Sequence, residues 1–440
     1  MNKVKKTIID LLKSQDITEI SWRVEESHSR CLLFYNCQSG NVQSFIKRIS
    51  KIQFCYCVVL SDVELSEKNI LSLKQEDWFD FREQTLDILY PLKKSTHLIG
   101  VTGTNGKTTA VDLIRQLCVL NQISVLTLGT LGAYTGEERV KDFGLTTPDY
   151  IDTRKTMHEH SRDVVAIEMS SHALVQNRFG KLKFDAIIWT SFSQDHLDYH
   201  RTMEEYFNAK LKVFEYAKPG VMVTFSDSDP GLFERIPFSH KKMISPDRKY
   251  QDPFLRIQYN QDNFSLALDA LKELNFQIDI KSPIVPTPGR FNIRPIQDAF
   301  IIVDFAHSPG GIESLGKALK KSFPEYEIVT LFGCGGDRDR GKRPLMGQAA
   351  SAFSNLLIVT SDNPRGEKPR DIIEDVLKGV ACEHTVLEDR REAIFWGVSY
   401  VREKKAVLLI AGKGHESFME IQGKKIPFND MNVVEDALDA

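Results

Sequence analysis

The stretch from His97 to Thr109, HLIGVTGTNGKTT, constrains the fold more than any other. An apolar run breaks into a glycine-containing loop and then into a lysine and two threonines. A strand that ends in such a loop and passes at once into a helix leaves backbone N–H groups and a positive helix terminus aimed at one spot, which suits a phosphate chain. In this pattern Lys107 reaches the terminal phosphates and the hydroxyl of Thr108 binds a magnesium ion. Val101 stands where the strict form G-x-x-x-x-G-K-[ST] has glycine.

At 440 residues the chain exceeds one ordinary core, and a prior of about 150 residues per domain suggests three. The first, residues 1–95, holds a helical start, short strands around Cys31 to Tyr35 and Phe54 to Leu60, and a helical pattern from Glu76 to Leu89. Tyr90-Pro91 and the polar KKST form its boundary. From His97 strands and helices alternate: SVLTLGT, a helix near Ile151 to His158, VVAIEM, AIIWTS, a helix Met203 to Tyr216, VMVTFS, and a helix from Asn263 to Leu274. The Pro-rich KSPIVPTPGR closes this second domain, 96–293. In the third, 294–440, the strands AFIIVD, EIVTLFG, NLLIVTS and AVLLIAG alternate with helices, the first of which carries Ile312, Leu315, Leu319 and Phe323 as an apolar stripe. The expected class is α/β, with a central P-loop-type, mainly parallel sheet and a Rossmann-like C-terminal domain whose ligands bind beyond the carboxyl ends of the strands.

Hydrophobic residues at 42% and charged residues at 27% describe a globular chain, and a net charge of −3 gives no broad pull toward nucleic acid or anionic membrane. Asp10 and Lys13 interrupt the apolar residues of MNKVKKTIIDLLKSQD, so no signal-peptide core or membrane span forms there, and a cytoplasmic monomer is expected. The seven cysteines (31, 37, 55, 57, 118, 334 and 382) are odd in number and scattered without a C-x-x-C pair, which favours buried free thiols over zinc or disulfides.

Magnesium wants hard oxygen ligands, so Glu168 at the end of VVAIEM is a sensible one, with Asp195, His196 and Asp198 after AIIWTS nearby in sequence. Four polar, glycine-rich loops, DFAHSPGG, GCGGDRDRGKR, SDNPRGE and GKGHE, follow the strands of the third segment and make a second site if they share a sheet edge. Taken singly, each of these side chains has a blander explanation as a cap, a paired carboxylate or a solvated loop residue.

The motifs G-T-N-G-K-T-T, T-T-P, E-M-S-S-H, D-H-L-D-Y-H and Y-F-N-A-K occur in one order, and by them residues 96–440 resemble the Mur ligases, ATP-dependent amide ligases that build the peptide of cell-wall precursors. The branch they resemble joins a diamino acid to UDP-MurNAc-L-Ala-D-Glu. The resemblance implies ATP and Mg2+ as cofactors and UDP-MurNAc-dipeptide and a diamino acid as small-molecule partners. ATP would be held by Gly103, Thr104, Asn105, Gly106, Lys107, Thr108, Thr109, Asn263, Arg290, Asp304 and His307. Thr146, Thr147, Ser170, Gln176 and Arg178 match positions that hold the muramoyl dipeptide. Thr108, Glu168, His196 and Lys210 would place metal, Lys210 as a carbamate (N6-carboxylysine), and Lys107, Glu168, His196 and Lys210 form the catalytic set. Around the incoming amino acid stand Arg343, Asp362, Asn363, Arg365, Gly412 and Glu416. A planar guanidinium pairs with a carboxylate through two parallel hydrogen bonds, and diaminopimelate has a distal carboxylate that lysine lacks, so Arg365 implies meso-diaminopimelate. Asn292 and Gly310 replace acidic residues of the family pattern, S-W-R-V at Ser21 to Val24 loosely matches the uridine-side motif, and Gln43 replaces a histidine. The alternatives are the same chemistry on another carboxylate acceptor or with L-lysine, and a non-catalytic ATP-binding relative.

Overall fold

The computed structural model describes residues 3–36, 47, 56–60, 69–221, 223–227, 230–236, 241–246, 254–255, 257–280 and 283–440; Gln43, Cys37 and Cys55 lie outside them. By contacts the chain divides into two compact units. The first comprises Met1–Gly100, Gln122–Ala186 and Lys212–Val221; the second comprises Val101–Asn121, Ile187–Leu211 and Met222–Ala440.

The first unit opens with a four-stranded parallel sheet in sequential order: β1 (Glu19–Ser21), β2 (Cys31–Asn36), β3 (Tyr56–Leu60) and β4 (Ile70–Leu73). Its two inner strands, β2 and β3, are mainly apolar and buried, as a parallel sheet covered by a helix requires. The helix Gln75–Leu89 packs Trp78, Phe81 and Leu86 inward, and the Trp78 indole N–H donates to Val58 O at 3.3 Å.

An eight-stranded sheet follows. Its members are β5 (His97–Thr102), β6 (Val125–Gly129), β7 (Gly132–Thr135), β8 (Glu138–Lys141), β9 (Val164–Glu168), β10 (Ala186–Trp189), β11 (Val223–Ser226) and β12 (Lys241–Ile244), in the order β12-β11-β10-β5-β9-β6-β7-β8. The β6–β9, β10–β11 and β11–β12 pairs are parallel. The hairpin of β7 and β8 is antiparallel and was not legible in the sequence, because its turn Gly136-Glu137 and the strand residues GAYT carry no apolar alternation. The predicted helix Met203 to Tyr216 is α-helical to Leu211 and then tightens into a 3-10 turn, Lys212–Tyr216.

The second unit ends in a six-stranded sheet of β13 (Asn292–Ile296), β14 (Ala299–Asp304), β15 (Glu327–Phe332), β16 (Leu356–Val359), β17 (Glu383–Val386) and β18 (Ala406–Ala411), ordered β13-β14-β18-β15-β16-β17. Only β13 runs antiparallel, on the edge. Every residue of β18 is buried, so the strand reads as an unbroken apolar run. Because β14, β18, β15 and β16 are consecutive and parallel, the four polar loops after them emerge at one edge. The predicted stripe faces this sheet: Ile312, Leu315 and Leu319 are buried on the helix Pro309–Ser322, whereas Phe323 caps its end. A hairpin of β19 (Phe418–Ile421) and β20 (Lys424–Pro427) follows β18.

Arg390 is fully buried and grips Asp430 through two 2.8 Å hydrogen bonds, while its remaining N–H groups donate to Ser361 O and Ala411 O. One guanidinium thereby ties the carboxyl ends of β16 and β18 to the helix Asp430–Asp439. Of the described cysteines, four are buried free thiols and Cys382 is half-buried. Burial pushes Cys118 and Cys334 up to about 12. Among the described residues no helix is long and apolar enough to cross a membrane.

Candidate active site

In the second unit the phosphate loop turns on Gly103 (φ 142°) and Gly106 (φ 89°), which caps the helix Lys107–Leu120. A side chain at Gly106 would lie 2.6 Å from Asn263 Oδ1, so the glycine is needed for close approach as well as for its backbone. The loop is braced from behind. Thr104 Oγ1 donates to Ser193 O and accepts from Ser193 N and from the buried Tyr206 hydroxyl. Ser191 Oγ accepts from Asn105 N, and Thr190 Oγ1 donates to Asn105 O.

Two ammonium groups meet at this loop. Lys107 Nζ donates to Gly103 O and Thr104 O, both at 2.9 Å, and Lys210 Nζ donates to the same Gly103 O at 2.8 Å. Lys210 is wholly buried, its ammonium lying over the Tyr206 ring. Burial first, and the charge of Lys107 second, push the Lys210 ammonium far below the ordinary lysine value. An amine biased toward its neutral form is nucleophilic, and that is the chemical prerequisite for capturing carbon dioxide as a carbamate.

Beside them, His196 sits in the left-handed region (φ 54°) with its backbone N–H on Asp195 Oδ1 and its ring against Tyr206. Burial raises the Asp195 carboxyl, yet the charges of His196, His307 and Lys342 outweigh it and the carboxyl ends below its usual range. His307 is held down by burial and then by Lys342, whose Nζ donates to His307 O at 3.0 Å. Asp304 accepts from Phe291 N and Ala306 N, and burial raises it against the pull of Arg290. Arg290 lies over the Phe305 ring, which also touches His307 and His415. Asn263 is the sixth residue of the helix Gln258–Glu273, whose N-cap is Ile257, so the cap explanation for this asparagine is ruled out by position. An open cleft of about 570 Å³ is lined by Gln194, Leu197, Asp337, Arg338, Asp339 and Gly341.

The amino-acid residues gather on the C-terminal loops of the same unit. Asn363 Nδ2 donates to Glu416 Oε2 at 2.8 Å, and the fully buried Lys413 donates to that same oxygen at 2.7 Å, to Asn363 Oδ1 and to Phe418 O. Asp362 packs beneath Gly412, where a side chain would lie 2.8 Å from its Oδ2. Arg343 is fully buried and commits its guanidinium to Glu367, Asp375 and Gly335 O. Both Nη groups are thereby spent on these loops, while its Nε has no hydrogen-bond partner. Arg365, in the left-handed region (φ 49°), donates from Nη1 to Gly336 O at 2.9 Å, and its Nε lies 3.2 Å from Glu420 Oε2. Lys413 and Glu420 were missed from sequence, although the i,i+3 spacing of Lys413 and Glu416 was available as a signal.

In the first unit the remaining candidates converge around the end of β9. Glu168 is buried and accepts from Thr130 N at 2.8 Å and Thr130 Oγ1 at 3.1 Å. Thr147 Oγ1 donates to Glu168 O and accepts from Ser170 N, Ser170 caps the helix Ser171–Val175, and Arg178 Nη1 donates to Thr147 O at 2.7 Å. Gln176 Oε1 accepts from Arg178, and Thr146 meets Thr130. A cavity of about 390 Å³ is lined by Trp22, Arg23, Trp78, Arg82, Asp149 and Gln176, among others. Arg82 is buried there, stacked over Trp78, Phe79 and Tyr150, with Nε and Nη2 lacking hydrogen-bond acceptors and only a 3.7 Å approach to Glu83. Neither Trp78 nor Arg82 was singled out from the sequence. Among the described residues no three His, Cys, Asp or Glu side chains gather into a metal site.

Comparison with known proteins gives a consistent result. Residues 101–302 match the family model for the Mur ligase middle domain, and residues 289–414 match that for the Mur ligase, glutamate ligase domain. The chain is 35% identical over 377 residues to the UDP-N-acetylmuramoyl-L-alanyl-D-glutamate--2,6-diaminopimelate ligase of Aquifex aeolicus, covering 78% of this chain and 77% of that one. To the same-named protein of Rickettsia typhi it is 35% identical over 401 residues, 82% and 81% of the two chains. A solved structure of a ligase of that name aligns with a TM-score of 0.60 at 26% identity over 96% and 95% of the chains. The MurF ligase of Thermotoga maritima, in complex with ADP, aligns at 0.61 with 14% identity over 98% and 97%, a likeness of fold.

Proposed function

The chain belongs to the Mur ligase family of ATP-dependent amide ligases, and from that premise we propose that it adds meso-diaminopimelate to UDP-MurNAc-L-Ala-D-Glu in peptidoglycan precursor synthesis. What carries the reading most is the meeting of Lys107 and the buried Lys210 at the Gly103 carbonyl, which sets a cation for the phosphates beside an amine held toward its neutral, carbamate-forming state.

A carboxylate is a poor electrophile, so activation comes first. The side-chain carboxylate of the D-glutamyl residue attacks the terminal phosphorus of ATP, an O–P bond forms and ADP leaves. The free amine then attacks the acyl carbon, phosphate departs, and an amide remains. Lys107 stabilises the transferring phosphoryl, and Gly103 to Thr109 wrap the phosphates. Asn263, Arg290, Asp304 and His307 hold the rest of the nucleotide. Thr146, Thr147, Ser170, Gln176 and Arg178 orient the dipeptide. The cavity beside Gln176, with indoles to stack on and the acceptor-poor guanidinium of Arg82, suits the nucleotide-sugar handle. Arg365, with Asp362, Asn363, Gly412 and Glu416, receives the diamino acid, and Arg343 holds their loops in place. We assign these tasks to the divisions 1–95, 96–293 and 294–440, in a cytoplasmic monomer.

In the second unit Thr108 is a buried hard-oxygen donor and Lys210 as a carbamate would add another, donors that fit Mg2+ completed by phosphate and water, with His196 placing it from outside; Glu168 is a buried carboxylate of the first unit. When bound, the ion neutralises phosphate charge.

The test is phosphate release by the purified protein with ATP, magnesium, UDP-MurNAc-L-Ala-D-Glu and either meso-diaminopimelate or L-lysine. Release should require both acceptor and amine, with the tripeptide product formed at least about a hundredfold faster from meso-diaminopimelate. Release indifferent to either co-substrate, or equal use of both amino acids, overturns the assignment.

A further inference from the structure

Arg82 lies between the cavity of the first unit and two acids. Its guanidinium is covered by the rings of Trp78, Phe79 and Tyr150, and Nε and Nη2 have no acceptor. Glu83, the next residue on the same helix, brings Oε1 only to within 3.7 Å of Nη2, and that oxygen has no hydrogen-bond partner. Gly180 (φ 49°) runs directly over it, where a side chain would collide. On the other side Oε2 accepts from the Tyr150 hydroxyl at 2.7 Å, while Arg154 Nη1 donates to that hydroxyl at 3.0 Å and stays 3.7 Å from Oε2. Burial pushes the Glu83 carboxyl above its ordinary value of 4.5, and the Tyr150 bond, then the charges of Arg82, Arg154 and Lys181, pull it only part of the way back. Arg154 is itself bound to Asp87 and Lys181 to Asp80, so neither is a full counter-charge for Glu83. Burial raises Tyr150 too, so its hydroxyl keeps its proton. The second acid, Asp149, lines the cavity and is also raised by burial, but its Oδ1 accepts from Ile151 N at 2.9 Å, a bond that favours the charged form.

We propose that Glu83 makes binding at this cavity proton-coupled: an anion that engages Arg82 drives Glu83 to take up a proton from solvent, and the proton leaves when the anion does. This rests on the reading that the cavity takes the nucleotide-sugar handle. In the free protein Arg82 and Glu83 compensate each other. A pyrophosphate arriving at Arg82 brings negative charge into the same poorly solvated space, which penalises the ionised carboxylate and leaves the neutral acid untouched. The carboxyl therefore titrates higher in the complex than in the free protein. Below both values it is already neutral and affinity is constant. Between them binding takes up the proton, and affinity falls as pH rises; above both, affinity is constant again at a weaker level. The window opens above 4.5.

The experiment is calorimetry of UDP-MurNAc-L-Ala-D-Glu binding to the full-length protein from about pH 5.5 to about pH 8, in buffers of differing ionisation enthalpy, a range in which the ligand's own pyrophosphate and carboxylates stay largely ionised. Wild type should take up a measurable fraction of a proton per ligand within its window, with Kd rising there by at most about tenfold per pH unit. Glu83→Gln keeps an acceptor for Tyr150 but cannot titrate, so it should bind without this uptake and hold the wild-type affinity of the acid limit at every pH. Asp149→Asn should retain the uptake. Arg82→Met should lose the uptake together with about tenfold or more of the affinity. Wild type binding without uptake anywhere in the range overturns the proposal, whatever the variants do. So does a Glu83→Gln protein that takes up as much as wild type, or an uptake lost in Asp149→Asn alone. If Arg82→Met binds as tightly as wild type, the handle lies elsewhere and the reading beneath the proposal fails.

Discussion

The phosphate loop and the amino-acid loops of the second unit handle cations in opposite ways. At the phosphate loop, Lys107 and Lys210 share one backbone carbonyl, and burial together with the charge of Lys107 holds the Lys210 ammonium down. At the amino-acid loops three cations have acids of their own: Arg343 with Glu367 and Asp375, Lys413 with Glu416, Arg365 with Glu420. The first arrangement leaves positive potential for an incoming polyanion to complete. In the second these three charges are already balanced by resident acids. Affinity is expected from the first and discrimination from the second.

Three substitutions break or sharpen this contrast. Lys107→Met removes a cation for which nothing substitutes, and phosphate release should fall by about 10³ or more while meso-diaminopimelate binding, followed by calorimetry, stays near its original value. Arg343→Met strips Glu367 of its guanidinium partner while Asp375 keeps Arg340 and Lys378, which should cost about 2 kcal/mol in urea unfolding; both acids keep some contact with water, and that softens the loss. Lys210→Met gives the smallest and most diagnostic effect. The folded lysine titrates far below its unfolded value of 10.5, so at pH between the two the unfolded chain binds the extra proton and wild-type stability is penalised. That penalty is complete below the folded pKa and vanishes above 10.5. In bicarbonate-free buffer, wild type should therefore gain on the variant as pH rises through this window, by at most about 1.4 kcal/mol per pH unit. A flat difference would mean that the ammonium is not held down.

Much of the architecture was readable because parallel strands buried on both faces announce themselves as apolar runs: SVLTLGT, VVAIEM, AFIIVD and AVLLIAG all became strands within a residue or two. The short elements at or next to a sheet edge, β7, β8, β12 and β17, did not, since half-exposed strands carry ordinary polar text. At the site, glycine and lysine spacing identified the phosphate loop, whose chemistry is local in sequence. The ion pairs were hidden for the opposite reason. Arg343 meets acids 24 and 32 residues away and Arg365 meets one in another hairpin, and nothing in a linear string marks which carboxylate a buried guanidinium will choose. Asn263 shows a milder form of the same limit: its type fits a cap, and only the helix start at Gln258 moves it inside, against Gly106.

The bond between Arg390 and Asp430 imposes an order of events on synthesis. Strands β14 through β18 can leave the ribosome and collapse together, yet Arg390 then lies among them with its charge uncompensated until Asp430, forty residues after it in the chain, has been translated. A nascent chain paused before Asp430 would keep its C-terminal sheet ajar, exposing strand edges to chaperones and proteases, and the emergence of one aspartate would lock it.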